Sequence, residues 1–356
     1  MNKSANFEKR NDIMFYSNKI KKNFFQKFLI KLIKLHYKNC KSYKKILDNI
    51  NYKISNTKLS SIPALPVSLF KKFDLYSVKP SSVIKVLKSS GTSGSAPSKI
   101  FLDSFNSKNQ TWVLTKIMEY ILGKKRLPML IIDQDPKGTS RSSYNARIAA
   151  INGFSIFGKN ITYLLNENNE IDKKKIKIFF EKYKDEKFII FGFTSLIYKY
   201  LIEKNLNFIT DKNFKNGIII HGGGWKKLLD KSISNKNFKK SLKSFYNITK
   251  VYNYYGLIEQ TGSIFVECPK CSCFQSSIYS DIFIRDSNLE IITKNKKKGF
   301  LQVISLLPTS YPGNSLLTED IAELRNDIKC KFCNNGKKFI IYGRSKNSEI
   351  RGCANI

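Results

Sequence analysis

Short apolar runs alternate with segments of helical spacing through the middle of this 356-residue chain. The apolar runs cover residues 129–133, 188–191 and 217–220, and the helical spacing covers 107–122, 173–184 and 195–204. Strands that alternate with helices form mainly parallel sheets wound with helices. After about residue 262 the pattern changes to strands, at 280–285, 289–293, 299–306 and 338–343. The sequence therefore predicts an α/β fold with a smaller β-rich part.

The same patterns divide the chain into four predicted segments. Residues 1–88 form a lysine-rich helical region, with apolar residues such as Phe24 and Leu32 at helical spacing, and a proline-punctuated connector. Residues 89–262 form the α/β core, and residues 263–342 form a β-rich subdomain. Residues 343–356 form a short, hinge-like tail.

The composition excludes a disordered chain but says less about partners. Hydrophobic residues make up 42% of the chain, enough for a sizeable core. Basic residues number 63 against 27 acidic ones, a formal charge of +36 that favours an acidic partner. Only eight of the basic residues are arginine, however, which nucleic-acid binders prefer for bidentate contacts. We therefore interpret the excess as a Lys–Asn–Ile coding bias.

No segment predicts export or membrane insertion. No apolar run approaches the roughly 20 residues that a membrane-spanning helix needs. The most apolar early stretch, residues 24–35, is interrupted by three lysines and does not resemble a signal peptide. Seven cysteines, an odd number, argue against a disulfide framework, so we expect a reducing cytoplasm.

Four of the cysteines form two C-x-x-C pairs, Cys268 with Cys271 and Cys330 with Cys333. A C-x-x-C turn places two thiolates on one side of a tight knuckle, and two knuckles complete a tetrahedral zinc site. The sequence therefore predicts a structural zinc site, with Cys273 as a competitor of Cys271. The alternative is a set of unlinked thiols in two loops.

A loop rich in serine and glycine follows the apolar segment at 83–87. It contains Ser90, Gly91, Thr92, Ser93 and Gly94. Glycines let backbone N–H groups turn toward an anion, and hydroxyls add donors without bulk, so the loop suits phosphates. It lacks the G-x-x-x-x-G-K-[ST] layout, which excludes the Walker mechanism. The alternative is a flexible linker.

A second glycine-rich turn follows the predicted strand at 217–220. Its residues are His221, Gly222, Gly223, Gly224, Trp225 and Lys226. Glycines at the carboxyl end of a buried strand allow a flat ligand to approach the backbone, where open α/β sheets bind ligands. The alternative is a tight strand–helix turn in which His221 is a hydrogen-bonded loop residue.

Three further motifs follow in the second half of the chain. Tyr255-Gly256 precedes Glu259; a tyrosine can stack on a base, and a carboxylate four residues later can hold magnesium. Asp320 ends a Thr-Glu-Asp turn, where a carboxylate can accept from both ribose hydroxyls. Arg344 follows a glycine beside the tail.

In this order, the five motifs resemble those of the adenylate-forming superfamily of acyl-, aryl- and aminoacyl-activating ligases. Within it, the chain resembles the acyl-protein synthetases of the bacterial bioluminescence fatty-acid reductase complex, through SSGTSGSAPSKI, HGGGWK, YYGLIEQTG and GRSKNSEIRGC. The resemblance covers the chain from about residue 60. It implies the large N-terminal domain of these enzymes, with wound parallel sheets and a β-rich subdomain. The mobile C-terminal domain would be lacking, because the chain stops 12 residues beyond Arg344.

The resemblance implies roles for the motif residues. ATP phosphates would be wrapped by the loop at 90–94, adenine would lie along Gly222 to Gly224 and stack on Tyr255, and Asp320 would hold the ribose. Arg344 would contact ribose or phosphate, and Glu259 would ligate magnesium. A carboxylic acid would attack the α-phosphate, giving an acyl-adenylate and pyrophosphate.

Two parts of the site depart from the superfamily pattern or depend on side-chain orientation. The loop lysine stands one place late, at Lys99, so its role is open and Lys226 is a candidate substitute. The acid pocket has four aromatic candidates, Phe191, Phe193, Trp225 and Tyr254.

The tail supplies one more candidate, because acyl-protein synthetases also end near this hinge and carry a cysteine at the position of Cys353. A thiolate can attack an acyl-adenylate to give a protein-bound thioester, and Arg344 and Arg351 would favour the thiolate. The resemblance implies that Cys353 accepts an acyl group, a fatty acid in this family, and passes it to a reductase or an acyl carrier protein. The alternative is an incidental residue of a frayed terminus.

Two other functions stay open. One is direct transfer to coenzyme A or to an acyl carrier protein, as in ligases of the phenylacetate-CoA-ligase type. The other is a basic zinc-binding protein that binds nucleic acid, which the C-x-x-C pairs favour and the scarce arginine opposes. We expect an enzyme with no nucleic-acid partner and no transmembrane segment.

Overall fold

The computed structural model describes residues 9–10, 13–14, 16, 18–54, 58–89, 96–136, 146–209, 214–333 and 336–345. Within these ranges, no helix has the length and apolar character needed to cross a membrane.

Eight α-helices occur among the described residues: α1 Asn18–Asn39, α2 Lys41–Asn49, α3 Leu69–Lys72, α4 Ser104–Leu122, α5 Ala146–Ser155, α6 Lys173–Tyr183, α7 Thr194–Ile197 and α8 Asn235–Tyr246. A π-helical segment, Tyr198–Glu203, continues α7. Helices α4, α6 and α8 begin after Asp103, Asp172 and Ser234, whose side chains accept a hydrogen bond from a backbone N–H three residues on. These N-caps fix where the three helices begin.

Fifteen β-strands occur in the same ranges: β1 Leu65–Pro66, β2 Val83–Lys88, β3 Lys99–Asp103, β4 Leu127–Gln134, β5 Gly158–Leu165, β6 Phe188–Phe193, β7 Gly217–Gly222, β8 Lys250–Tyr255, β9 Phe265–Glu267, β10 Phe274–Gln275, β11 Ser280–Arg285, β12 Ile291–Ile292, β13 Lys298–Ser305, β14 Ser315–Leu324 and β15 Lys338–Arg344. The strand predicted at 289–293 is reduced to the two residues of β12, because Leu289 adopts a positive φ of 63° within a turn.

The chain folds as two compact units. We call residues 124–255 the parallel unit, and residues 1–123 together with 256–349 the antiparallel unit. Their limits lie at 123/124 and 255/256, whereas the limits expected from the sequence follow residues 88, 262 and 342.

The parallel unit contains five parallel strands in the order β5-β4-β6-β7-β8. One face of this sheet carries Leu130, Ile190 and Ile219, which form a buried core with apolar residues of α6 and α8. The opposite face carries Phe191, which stacks on Phe154 of α5 with ring centroids 4.5 Å apart. A sheet buried on both faces requires strands that are apolar throughout, which explains the apolar runs in the sequence. The predicted wound parallel sheet is confirmed.

The antiparallel unit contains strands in the order β12-β11-β13-β14-β15-β10-β9, and β1 adds in parallel to β14. Strands β2 and β3 form a separate antiparallel hairpin. Helix α4 is tied to this unit at its first turn, because the Oδ1 atom of Asn106 accepts from the backbone N–H groups of Thr309 and Ser310, at 2.7 and 3.1 Å. Residues distant in sequence therefore share one core.

Candidate active site

The glycine-rich turn lies at the carboxyl end of the parallel sheet. Gly222 ends β7 and pairs in register with Phe193 of β6 and Tyr254 of β8. A Cβ atom on Gly222 would lie 2.6 Å from two ring carbons of Tyr254, so only glycine fits there. Gly223 has a φ of 74°, which favours glycine, whereas a Cβ atom on Gly224 would meet nothing within 4 Å. The geometry therefore requires the first two of the three glycines.

His221 precedes this turn and is 2% exposed. It is the penultimate residue of strand β7, and not the hydrogen-bonded loop residue that was one alternative from the sequence. Its Nδ1 atom lies 2.9 Å from the Oγ1 atom of Thr194, the first residue of α7. Burial, with a smaller effect of Lys239, lowers the pKa of His221 to about 3. The imidazole is therefore neutral near pH 7 and does not supply positive charge to a nucleotide.

The four predicted pocket aromatics occupy different surroundings within the parallel unit. Tyr254 packs against Phe154 at 4.7 Å between ring centroids, and Phe191 stacks on the same Phe154. Trp225 instead contacts Tyr198 at 5.0 Å, beside the core cluster that contains Phe193. The structure thus brings Phe191 and Tyr254 together around a third ring. The ring of Phe193 lies 6.4 Å from that of Phe191, so it links this pair to the cluster beside Trp225.

Glu259 lies in the antiparallel unit, in a 3₁₀ turn over Ile258–Gln260, and is 6% exposed. Its carbonyl oxygen accepts a hydrogen bond from the hydroxyl of Tyr311 at 2.9 Å. The side chain of Gln260 donates to the carbonyl of Gly313 at 2.8 Å. Burial, and the charge of Glu259, raise the pKa of Tyr311, which keeps its hydroxyl as a donor. The turn that carries the predicted magnesium ligand is therefore firmly held.

Asp320 and Arg344, for which the family resemblance implies contacts with the nucleotide, are neighbours in the antiparallel unit. They are register partners on β14 and β15, although 24 residues separate them in sequence. The ladder is irregular beside them, where Gly343 has a φ of 99°. Arg344 also pairs with Glu319, at 3.8 Å between Nη1 and Oε2. The backbone ladder thus brings the two residues opposite each other, while the guanidinium of Arg344 contacts the carboxylate of the neighbouring Glu319.

The four cysteines of the two C-x-x-C pairs converge in the antiparallel unit. Their Sγ atoms all lie within 4.8 Å of one another, with 3.8 Å between Cys268 and Cys330 and 3.3 Å between Cys271 and Cys333. Four thiolates at about 2.3 Å from a zinc ion are roughly 3.8 Å apart, so the cluster fits a tetrahedral site. The sulfur of Cys273 faces the carbonyl of Cys271 at 3.7 Å and is not part of the cluster.

Several predicted site residues lie outside the described ranges. These are Ser90, Gly91, Thr92, Ser93, Gly94 and Cys353, together with the side chain of Lys226. Two described residues on either side of the loop rich in serine and glycine pair: the N–H of Ser89 donates to the Ser98 carbonyl at 3.0 Å, and the N–H of Ser98 donates to the Ser89 hydroxyl at 2.7 Å. Lys99 contacts Asp74 at 3.1 Å.

Three residues of these arrangements were not predicted from the sequence, namely Phe154, Thr194 and Tyr311. Thr194 directly follows the apolar strand β6 and begins α7, so the sequence pattern could have indicated its place at the end of that strand. Phe154 and Tyr311 act through contacts with Tyr254 and Glu259, which lie far away in the chain. No local pattern marks such contacts.

Comparison with solved structures shows the fold. An open conformation of 2-hydroxyisobutyryl-CoA ligase, in complex with 2-HIB-AMP and CoA, matches with a TM-score of 0.73 and 12% identity, over 96% of this chain and 75% of that chain. The same ligase in the thioesterification state matches with a TM-score of 0.71 and 12% identity, over 96% of this chain and 73% of that chain. An ATP-bound RpMatB-BxBclM chimera matches with a TM-score of 0.51 and 13% identity, over 74% of this chain and 48% of that chain. The predicted fold of adenylate-forming ligases is confirmed.

Comparison of the sequence gives the family. The search among curated proteins found no significant match. The family model described as "Acyl-protein synthetase, LuxE" matches residues 9–356, nearly the whole chain. The resemblance that the ordered motifs indicated is therefore confirmed, and the chain belongs to the LuxE family of acyl-protein synthetases.

Proposed function

We propose that the chain is an ATP-dependent acyl-protein synthetase that activates a carboxylic acid, a fatty acid, and loads it on Cys353. A carboxylate oxygen attacks the α-phosphorus of ATP, the bond to pyrophosphate breaks, and an acyl-adenylate forms. The Cys353 thiolate then attacks the acyl carbon, a thioester forms, and AMP leaves. A partner protein, a reductase or an acyl carrier protein, takes the acyl group from the thioester.

The observation that carries this proposal is the family match over residues 9–356. Described residues support the proposed nucleotide contacts. Gly222 to Gly224 and Tyr255, with Gly256 after it, would receive the adenine, and the paired Asp320 and Arg344 would hold ribose and phosphate. The solved relatives support ATP as the nucleotide, because one of them binds ATP and another binds an acyl-adenylate.

Glu259 is the proposed magnesium ligand, and the four clustered cysteines are proposed to hold a structural zinc ion. A carboxylate suits magnesium, a hard cation that prefers oxygen ligands. Magnesium would neutralise phosphate charge while the acid attacks. The reducing cytoplasm would keep the four thiols available for zinc.

The test is a pair of assays on the purified chain with ATP, magnesium and a panel of labelled carboxylic acids of increasing length. We expect acid-dependent ATP–pyrophosphate exchange and a hydroxylamine-sensitive protein adduct. Cys353→Ala should abolish the adduct and retain the exchange. Cys40→Ala is the matched control, because Cys40 is buried at the start of α2 and has no proposed role.

Two outcomes would contradict the proposal. If no acid supports ATP–pyrophosphate exchange, the proposed ligase activity is wrong. An adduct that survives Cys353→Ala would remove the tail cysteine from the reaction while leaving the activation step.

A second candidate is direct transfer to coenzyme A or to an acyl carrier protein. It is favoured by the match to 2-hydroxyisobutyryl-CoA ligase, whose structure contains CoA. If it is correct, acyl-CoA or acyl-carrier product will form at an undiminished rate with Cys353→Ala. Family membership also supports a ligase over a nucleic-acid-binding protein, so we expect no ATP-independent, salt-sensitive binding to DNA or RNA.

A further inference from the structure

The hydroxyl of Thr194 reaches three consecutive residues of the glycine-rich turn. Thr194 is 6% exposed and begins α7, directly after β6. Its Oγ1 atom lies 2.9 Å from Nδ1 of His221, 3.2 Å from the carbonyl oxygen of Gly222 and 3.0 Å from that of Gly223. One buried side chain therefore links the end of β6 to the turn that ends β7.

The protons of this arrangement can be assigned. A hydroxyl carries one proton and two lone pairs, and a carbonyl oxygen only accepts. The single proton of Thr194 is therefore shared between the two glycine carbonyls, and His221 donates to Thr194 from Nδ1. A neutral imidazole has a single N–H, so the Nε2 atom of His221 carries no proton. This agrees with the low pKa of His221, and with its Nε2 having no partner among the described residues.

The same contacts set the direction of the next backbone donors. The described residues contain no cis peptide bond, and in a trans peptide the carbonyl and the following N–H point in opposite directions. Because the Gly222 and Gly223 carbonyls point to Thr194, the N–H groups of Gly223 and Gly224 point away from it. The N–H of Gly223 therefore faces β8, with which Gly222 is paired, and the N–H of Gly224 is the donor that the turn presents to a ligand.

A second contact restrains the turn independently. The ring of Tyr254 occupies the space where a side chain on Gly222 would lie. The turn is therefore held at its α-carbon by Tyr254 and at its carbonyls by Thr194. Loss of the hydroxyl would remove the side-chain restraint on the two carbonyls, while the pairing of Gly222 with Phe193 and Tyr254 remains.

We propose that Thr194 is a positioning residue of the nucleotide site, which orients the peptide planes of the glycine-rich turn for binding ATP. This inference rests on the proposed function, in which that turn receives the nucleotide. Thr194 does not touch ATP and takes no part in the chemical steps. Its effect is on nucleotide affinity, transmitted through Gly222 and Gly223.

The test compares Thr194→Val, which keeps the shape but removes the hydroxyl, with Thr194→Ser, which keeps the hydroxyl. We expect Thr194→Val to raise the KM for ATP about tenfold, because the carbonyls of Gly222 and Gly223 lose their donor, and to leave the KM for the acid within about twofold. Thr194→Ser should stay close to the wild type. Thr111→Val is the matched control, since Thr111 is exposed on α4 and its hydroxyl bonds only within that helix.

Two measurements besides activity accompany the kinetics. Calorimetric titration with ATP alone should show the same loss of affinity in Thr194→Val. Nitrogen NMR should show the proton of His221 on Nδ1 in the wild type, and a loss of this single tautomer in Thr194→Val.

The outcomes separate the inference from the proposed function. A Thr194→Val variant that melts at lower temperature but binds ATP normally would overturn the positioning role. So would a serine variant as impaired as the valine variant, because shape rather than the hydroxyl would then matter. A wild-type chain that neither binds ATP nor catalyses exchange would contradict the proposed function itself.

Discussion

At the scale of single residues, the three glycines after His221 have different reasons to be glycine. Gly222 is required by the ring of Tyr254, Gly223 by its positive φ, and Gly224 by neither. The sequence indicated the turn but could not rank its members. The contact that constrains Gly222 comes from a strand 32 residues further along the chain, and only the register of β7 with β8 reveals it.

This difference predicts that alanine at position 222 destabilises the protein and that alanine at position 224 does not. Gly222→Ala forces a methyl group to 2.6 Å from the Tyr254 ring, so we expect it to lower the free energy of unfolding by about 1–3 kcal/mol, as overpacking does. Gly224→Ala meets nothing within 4 Å and should change the free energy of unfolding little. Urea unfolding of both variants, followed by circular dichroism, measures this. Equal destabilisation would show that the ring moves away freely.

At the scale of elements, the two cysteine knuckles join parts of the antiparallel sheet. Cys268 and Cys271 lie between β9 and β10, and Cys330 and Cys333 lie between β14 and β15. The C-x-x-C spacing was enough to predict two turns. It could not decide between Cys271 and Cys273, because that depends on Ser272, whose φ of 58° reverses the backbone between them.

The cluster predicts which thiols matter for zinc. We expect the wild type to bind about one zinc ion per chain, as four-thiolate structural sites do. Cys271→Ala should lose most of the metal, because one of the four clustered Sγ atoms is removed. Cys273→Ala is the matched control and should retain the metal, because its Sγ atom lies outside the cluster. Elemental analysis after gel filtration measures the zinc content of both variants. Loss of zinc in Cys273→Ala and its retention in Cys271→Ala would exclude this ligand set.

At the scale of the whole molecule, the two units differ in how much of them the sequence could predict. The parallel unit is continuous in sequence, and its doubly buried strands read directly as apolar runs such as that of β6. The antiparallel unit combines residues before 124 with residues after 255. Its assembly rests on long-range polar contacts, such as Lys21 Nζ to Ser276 Oγ at 2.7 Å, which leave no periodic trace in the sequence.

Each unit also contains one of the two histidines and one of the two tryptophans of the chain: His36 and Trp112 in the antiparallel unit, and His221 and Trp225 in the parallel unit. His36 is fully buried, with Nδ1 at 2.8 Å from the Ser77 hydroxyl and Nε2 at 3.1 Å from the Pro308 carbonyl. A carbonyl only accepts, so the proton of His36 is on Nε2, the opposite tautomer to His221. Burial lowers the pKa of His36 to about 3, as it does for His221.

Both units should therefore lose stability as the pH falls below the ordinary histidine pKa of about 6.5. Between pH 6.5 and 3 the unfolded histidine binds a proton that the folded one does not, so the free energy of unfolding falls with falling pH. The slope approaches about 1.4 kcal/mol per pH unit for each histidine. Urea unfolding between pH 7 and 5, where few other groups titrate, measures it. His221→Asn and His36→Asn should each reduce the slope, because each removes one histidine that binds a proton only in the unfolded chain, and the double variant should remove most of it. A slope unchanged in the double variant would show that other groups cause it.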